Sequence, residues 1–165
     1  MKQASERVAA QTGNRYYGVG GFTSIKAFFA NGVNFTGRSS RREYWWLQLF
    51  AVIVSIVLIG AVIALFSSAM GADAVQDSVP HLLWSFVIVI LIALVAFIPS
   101  LALAVRRFRD AGVHWGVYVA LNVAEYAVSF GLNKQATLQL VLLLMIGIAM
   151  LVITVLPTKH PPVAG

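Results

Sequence analysis

The sequence contains no cysteine and little charge, since only 11% of its 165 residues are Asp, Glu, Lys or Arg. Without cysteine the chain has no disulfide, no thiolate nucleophile and no Cys-ligated metal or cluster. Soluble domains carry about 25% charged residues. The low charge therefore argues against a soluble fold of this size.

Histidines and catalytic motifs are also scarce. His81, His114 and His160 lie far apart, in predicted connections or the tail, and none has the His-x-x-x-His spacing of a helical metal site. The sequence contains no Ser-His-Asp arrangement, H-E-x-x-H motif or phosphate-binding loop. We therefore predict no metal, no cofactor and no catalytic residues, and we expect that the protein is not an enzyme.

Apolar residues are in large excess, at 59% of the chain, and the mean hydropathy is +0.83. Four apolar stretches have about the 20 residues that a helix needs to cross a bilayer. They cover residues 44–66, 82–105, 115–131 and 137–156. This pattern predicts an all-α fold, namely an integral membrane four-helix bundle over residues 22–157.

The segments outside the four stretches are more polar. We predict a flexible N-terminal tail over residues 1–21, which contain four glycines, and a short C-terminal tail over residues 158–165. Between the first tail and the first span, residues 22–30 read FTSIKAFFA, with the large apolar side chains on one helical face. Such a short N-terminal helix lies in the membrane interface or packs against the bundle, and the sequence leaves both alternatives open.

Basic residues are distributed unevenly around the predicted spans. Eleven of the twelve Lys and Arg lie before the first span, between the second and third spans or after the fourth, and only Lys134 lies elsewhere. Because basic residues near span ends stay in the cytoplasm, we predict that both termini are cytoplasmic. The net charge of +6 is explained by this topology and by anionic lipid, so we expect no nucleic-acid partner.

Two groups of arginines flank the first two predicted spans on the cytoplasmic side. They are Arg38, Arg41 and Arg42, and Arg106, Arg107 and Arg109. Arginine binds phosphate and carboxylate in a bidentate way, so the six are candidates for binding an anionic lipid headgroup, a nucleotide or an acidic protein partner. Alternatively, Glu43 and Asp110 pair with these arginines and hold the cytoplasmic end together, or the arginines only fix the topology.

The third predicted span carries three polar residues on one helical face, Asn122, Glu125 and Ser129. Carboxylates within a membrane face a bundle interior or an aqueous cavity, so this stripe could conduct protons or bind a cation in a small transporter or channel, for example one formed by a homo-oligomer. Alternatively, Glu125 only joins helices by hydrogen bonding. A membrane enzyme that acts on lipid is a third hypothesis.

Two motifs resemble a known family. They are NFTGRSSRREYWW, which leads into the first span, and IPSLALAVRRFRDAG, which ends the second. Their order is similar to that in family 805 of the bacterial domains of unknown function, the YhaH-type inner-membrane proteins, over roughly residues 22–157. The matching positions are Phe35, Gly37, Arg38, Ser40, Arg41, Glu43, Tyr44, Trp45, Pro99, Ser100, Arg106, Arg107, Asp110 and Gly112. The resemblance implies residence in the bacterial inner membrane and implies no activity.

The sequence departs from the family pattern in two notable places. Arg109 stands where the family has His, and the Gly-rich ending with Asn and an aromatic residue is missing after the last span. A similar string, GNRYYG, stands at residues 13–18 instead. The working hypothesis is a small multi-pass membrane protein of unknown activity, whose arginine-rich cytoplasmic face binds anionic lipid or a protein partner.

Overall fold

The structure, a computed structural model, describes residues 2–69, 75–131 and 135–159, and these residues form six α-helices. The helices are α1 (Lys2–Thr12), α2 (Thr23–Ala30), α3 (Arg41–Ala69), α4 (Val75–Asp110), α5 (Trp115–Gly131) and α6 (Ala136–Val155). The predicted all-α class is confirmed. Lys134 and residues 160–165 of the predicted C-terminal tail lie outside the described residues.

Three of the helices, α3, α4 and α6, are long and apolar enough to cross a membrane. Few of the side chains in their most apolar segments are buried: none in α3, 17% in α4 and 6% in α6. Such exposed apolar surface is suited to contact with lipid tails. α5 is shorter, with 17 residues. At the rise of an α-helix it is about 26 Å long, which is slightly less than the thickness of a hydrocarbon core, about 30 Å.

The helices pack as two pairs joined through α4. α3 packs along α4, α5 packs along α6, and α4 also contacts α5 and α6. The beginning of α3 lies beside the end of α6, since the Arg41 guanidinium donates to the Val155 carbonyl at 3.5 Å. The end of α4 lies there too, since Arg107 Nε donates to the Thr154 carbonyl at 2.9 Å. We call this region the polar end: residues 12–43, 106–113 and 154–159.

The short helix α2 packs against α3 and α4. Ala27 and Phe28 are buried on its inner face, whereas Phe22 and Phe29 are exposed. The sequence leaves open whether this helix lies in the membrane interface or packs against the other helices, and the structure shows the packing. The exposed aromatic rings remain available to the membrane interface.

The sequence predicts a flexible tail over residues 1–21. In the structure, residues 2–21 form α1 and a series of turns, and Thr12 and Asn14 are buried. The Thr12 carbonyl accepts a hydrogen bond from the Arg38 amide at 2.8 Å. The physical reason is that this polar segment hydrogen-bonds to buried groups of the polar end, which its composition alone does not reveal.

A pair of glycines allows this segment to cross the chain just before α3. Gly13 has a φ of +62°, and a Cβ atom there would lie 3.2 Å from Gly37 Cα. A Cβ atom on Gly37 would lie only 2.8 Å from the Gly13 carbonyl oxygen. Because glycine has no Cβ atom, the two backbones can approach closely at this crossing. The approach places Asn14 next to Glu43, in the first turn of α3.

Candidate functional site

The end of α4 holds a buried carboxylate, Asp110, which is 0% exposed. The helix ends in a Schellman motif, in which the Gly112 amide donates to the Arg109 carbonyl at 3.0 Å and the Val113 amide donates to the Phe108 carbonyl at 2.9 Å. Gly112 has the positive φ, +76°, that this motif requires. The local sequence therefore stops α4 directly after Asp110.

Asp110 is the point at which three parts of the chain meet. Its oxygens accept hydrogen bonds from Arg107 Nη1, the Tyr17 hydroxyl and the Thr158 hydroxyl, each at 2.8 Å. Arg38 Nε lies 3.6 Å from the same carboxylate. One side chain thus connects α4 to the N-terminal segment and to the segment that follows α6.

Arg107 is fully buried and makes bonds with all three of its nitrogens. Besides Asp110, it donates to the carbonyls of Thr154 and Leu156 at the end of α6. Carbonyls in the last turn of a helix have no partner within the helix, and a cation is favoured there by the helix dipole. Arg107 therefore fastens the end of α6 to the end of α4.

A second buried carboxylate, Glu43, lies in the first turn of α3 and is 1% exposed. Ser40 caps this helix, because its hydroxyl accepts from the Glu43 amide at 3.2 Å. The Glu43 carboxylate in turn accepts from the Ser39 hydroxyl at 3.2 Å and from Asn14 Nδ2 at 2.9 Å. Arg106 Nη1 lies 3.9 Å from it. Glu43 thus joins α3 to α4 and to the N-terminal segment.

Asn14 is an important residue that the sequence analysis missed. In addition to Glu43, its amide nitrogen donates to the Arg38 carbonyl at 2.9 Å, and its amide oxygen accepts from Asn31 Nδ2 at 2.9 Å and from the Tyr16 amide at 2.8 Å. Asn14 belongs to the GNRYYG string, which resembles the family's ending and has no role assigned in the sequence analysis. Asn14 and Tyr17 of that string both reach the buried carboxylates.

We call Glu43, Arg106, Arg107 and Asp110 the buried ion cluster. It holds two carboxylates and two guanidinium groups, so its formal charge is balanced. Buried charges are tolerated when they are paired and hydrogen-bonded. Arg106 is the least satisfied member, because among the described residues its two terminal nitrogens have no hydrogen-bond partner, although its Nε donates to the Ala102 carbonyl at 3.3 Å.

The structure divides the six arginines that the sequence grouped as one anion-binding set. Arg106 and Arg107 are 0% exposed and lie beside the buried carboxylates of Glu43 and Asp110, and anion binding by these two stays a prediction. Arg38 faces Asp110, and Arg109 Nη1 donates to the Thr36 carbonyl at 3.0 Å. The two that remain, Arg41 and Arg42, are exposed.

Arg41 and Arg42 lie beside two exposed indole rings. Together with Trp45 and Trp46, which are 38% and 39% exposed, they line an open hollow of about 520 Å³. Within the part of the chain that the structure describes, no acidic side chain lines this hollow. We call these four residues the Arg–Trp surface. Its chemistry is cationic and aromatic, at the entry to the first long apolar helix.

The polar stripe predicted on α5 is divided between two environments. Asn122 is half-buried, lines the cavity between α3 and α5, and donates to the Tyr118 carbonyl at 2.8 Å. Glu125 is exposed and is not among the residues that line this cavity. Ser129 is half-buried, and its carbonyl accepts from Gln139 Nε2 at 3.1 Å. Of the three, Asn122 alone is among the described residues that line this cavity, and a conducting or cation-binding role for the stripe stays a prediction.

The family indicated by the two motifs is borne out by comparison with known families. Residues 32–163 match the family described as "Protein of unknown function (DUF805)". This chain belongs to that family. The matched range contains all four members of the buried ion cluster and all four residues of the Arg–Trp surface. Asn14 and Tyr17, which bind the cluster from the N-terminal segment, precede the range that the family covers.

Among curated proteins, the chain is similar to the inner membrane protein YhaI of Escherichia coli strain K12. The two are 38% identical over 80 residues, which are 48% of this chain and 54% of the relative. The inner membrane protein YhaI of Escherichia coli O157:H7 matches to the same extent. The chain therefore spans about half the length of the curated relatives it matches. No solved structure matches it.

Proposed function

We propose that the protein is a multi-pass protein of the bacterial inner membrane whose Arg–Trp surface binds anionic phospholipid headgroups on the cytoplasmic side. The observation that carries this proposal is a contrast among the arginines. Arg106 and Arg107 are balanced by buried carboxylates, whereas Arg41 and Arg42 are exposed beside two indole rings. The buried ion cluster is then the structural support that fixes the position of this surface.

The chemistry of the Arg–Trp surface suits a phospholipid at the membrane boundary. Indole rings favour the headgroup level, and guanidinium groups form paired hydrogen bonds with phosphate. Each basic residue near an anionic leaflet contributes about 1 kcal/mol of binding free energy. The nearby acid, Glu43, is buried and bonded to Asn14 and Ser39, so it does not neutralise the exposed pair at the surface.

The proposal includes the topology that the basic residues predict. In it, α3, α4, α5 and α6 are the four spans, both termini are cytoplasmic, and α2 lies at the membrane interface. Two observations support it: the eleven-to-one distribution of basic residues, and the meeting of Tyr17, Asp110 and Thr158 at the polar end. An even number of passes brings both terminal segments to the same side.

Replacement of both exposed arginines tests the lipid site. In the double variant Arg41→Gln with Arg42→Gln, we expect retention of phosphatidylglycerol relative to phosphatidylethanolamine to fall, by about 1 kcal/mol for each charge. Native mass spectrometry after mild-detergent purification measures both lipids. The salt concentration is held constant, because exposed charges are screened over about 8–10 Å.

The matched control changes two other exposed arginines, in the variant Arg7→Gln with Arg15→Gln. It has the same net charge as the test variant, so a specific site predicts normal phosphatidylglycerol retention. Lysine at positions 41 and 42 should restore only part of the retention, because lysine has no bidentate fork. Equal loss in the test and control variants would show a general charge effect and would contradict the proposed site.

Single cysteines test the topology, since the natural chain has none. Exposed positions are available at Gln3, at His114 between α4 and α5, and at His81 near the other end of α4. An impermeant thiol reagent applied to intact spheroplasts should label the His81→Cys variant only. Permeabilised cells provide the control in which all three react. Labelling of the His114→Cys variant without permeabilisation would refute the four-span topology.

A further inference from the structure

A cavity of about 620 Å³ lies between α3 on one side and α5 and α6 on the other. α3 packs on α2 and α4, whereas α6 packs on α5 and α4, and the cavity is the space left between α3 and the α5–α6 pair. Helices α2 to α6 all contribute to its walls. Its volume lies within the range of about 300–1,000 Å³ that is usual for small-molecule sites.

Most polar side chains in the walls of the cavity lie towards one end. Near the polar end the walls carry apolar side chains such as Phe28 and Leu103, together with the polar side chains of Tyr44, Gln48, Ser100, Tyr118 and Asn122. Further along, the lining is mainly aliphatic, with Val54, Leu58, Val89 and Ile92, although Ser55 also lies there. Tyr44 and Leu58 are 14 residues apart on α3, which is about 21 Å at helical rise. The cavity is therefore amphipathic along its length.

Among residues 2–69, 75–131 and 135–159, those that form the polar part of the lining supply amides and hydroxyls but no charged side chain. Asn122 already uses one N–H to bond the Tyr118 carbonyl, and its amide oxygen remains an acceptor for a ligand. A charged head would lose its hydration here without an opposing charge, which is costly in an apolar environment. A neutral head with hydroxyl or carbonyl groups would instead form hydrogen bonds.

We propose that this cavity binds a single-chain membrane amphiphile with a small, uncharged, hydrogen-bonding head, such as a monoacylglycerol. The head lies among Tyr44, Gln48 and Asn122, and the hydrocarbon chain extends towards Leu58. The assignment rests on two features of the lining: uncharged polar groups that can hydrogen-bond the head, and aliphatic side chains that can contact the single hydrocarbon chain. The site is separate from the Arg–Trp surface and does not rest on the proposal made for it.

Filling the cavity tests the site. A long-chain monoacylglycerol is added to the purified full-length protein in lipid nanodiscs, and its retention is measured by native mass spectrometry. In the variants Ala51→Leu and Ala93→Leu, both of which change lining residues, we expect retention to fall about ten-fold or more, because the larger side chain occupies the tail's space. The matched control is Ala61→Leu, at an exposed position of α3 outside the lining.

Head specificity is tested with the same chain length in a free fatty acid. The wild-type protein should retain the monoacylglycerol in preference to the fatty acid. The variant Asn122→Leu with Ser100→Ala should lose this preference while it still passes size-exclusion chromatography like the wild type. Equal retention in the Ala51→Leu and Ala61→Leu variants, or an equal preference for the fatty acid in the wild type, would overturn the proposal. Retention of phosphatidylglycerol at the Arg–Trp surface is recorded separately, so failure of one site is distinguishable from failure of the other.

Discussion

At the polar end, Glu43, Arg106, Arg107 and Asp110 are at most 1% exposed, whereas the most apolar segment of α3 has no buried residue. In a soluble protein, by contrast, apolar side chains are the ones most often buried, and charged side chains are almost never fully buried unless paired. Hydrogen bonds and ion pairs connect distant parts of the chain at the polar end. Along the long helices, apolar side chains are left for lipid.

The comparison shows which forces hold each region together. Lipid tails are as apolar as leucine, so burial of apolar side chains gives little drive for helices to associate within a membrane. At the polar end, Glu43 of α3 forms an ion pair with Arg106 of α4. Arg107 of α4 donates to the Thr154 carbonyl of α6, so polar contacts hold the ends of the three helices together. Substitutions of the same chemical type should therefore have very different effects in the two regions.

The largest difference is expected between two carboxylates. Asp110→Ala leaves Arg107 buried without its charge partner, and breaking a buried pair in this way costs about 3–5 kcal/mol of unfolding free energy. Glu125→Ala removes an exposed carboxylate from α5 and serves as the matched control, with little expected change. Reversible unfolding in mixed micelles measures both. Similar losses for the two variants would remove the distinction between the regions.

Two glycines give the next largest difference. In Gly37→Ala, the new Cβ atom meets the Gly13 carbonyl oxygen at 2.8 Å, and such overpacking costs about 1–3 kcal/mol. In Gly60→Ala, no atom of the described residues other than the adjacent helix backbone lies within 4 Å of the new Cβ, and the helix gains up to about 1 kcal/mol of propensity. The same unfolding assay should thus give changes of opposite sign. A destabilised Gly60→Ala variant would indicate that this face of α3 is packed against something.

The features that depend on residues close together in the sequence were the ones that could be predicted. Runs of apolar residues are local, so the helical stretches 44–66, 82–105, 115–131 and 137–156 all fall within helices α3 to α6 or at their ends. Pairing of Glu43 and Asp110 with arginines was one of the alternatives considered from the motifs. The first span was predicted to begin at residue 44, whereas α3 begins at Arg41; the capping-box spacing of Ser40 and Glu43 is a signal for this earlier start.

The contacts that were not predictable join residues far apart in the chain. Tyr17 bonds Asp110 over 93 positions and approaches Thr158 over 141, and no local pattern encodes such pairings. Asn14 lies in a segment with the polar, glycine-rich composition of a linker, although it is buried beside Glu43. Composition therefore predicted the long apolar helices well, but it did not predict the contacts of the polar end.

The smallest expected effect is a pH dependence at Tyr17. Burial raises the pKa of the Tyr17 hydroxyl, with its hydrogen bond to Asp110 acting in the same direction and its contact with Thr158 in the opposite one. Because the folded-state pKa is above the unfolded value of about 10, this contribution to stability is complete below pH ~10 and is lost as the pH rises through the folded-state pKa.

The stability difference between the wild type and Tyr17→Phe should therefore be constant at lower pH and become smaller above pH ~10. Chemical denaturation across this pH range measures both proteins. An unchanged difference for Tyr17→Phe at high pH would show that Tyr17 does not titrate in this way.

Cross-linking within one chain tests most directly that the polar end gathers both terminal segments. Tyr17 and Thr158 lie on opposite ends of the sequence, yet their hydroxyl oxygens are 3.3 Å apart, and the chain has no other cysteine to interfere. A short thiol-reactive cross-linker is applied to membranes that contain the variant Tyr17→Cys with Thr158→Cys, and digestion with mass spectrometry identifies the linked peptides. Tyr17→Cys with Val123→Cys is the control pair. The account predicts efficient intramolecular cross-linking of the first pair and none of the second; reactive but unlinked cysteines at 17 and 158 would contradict it.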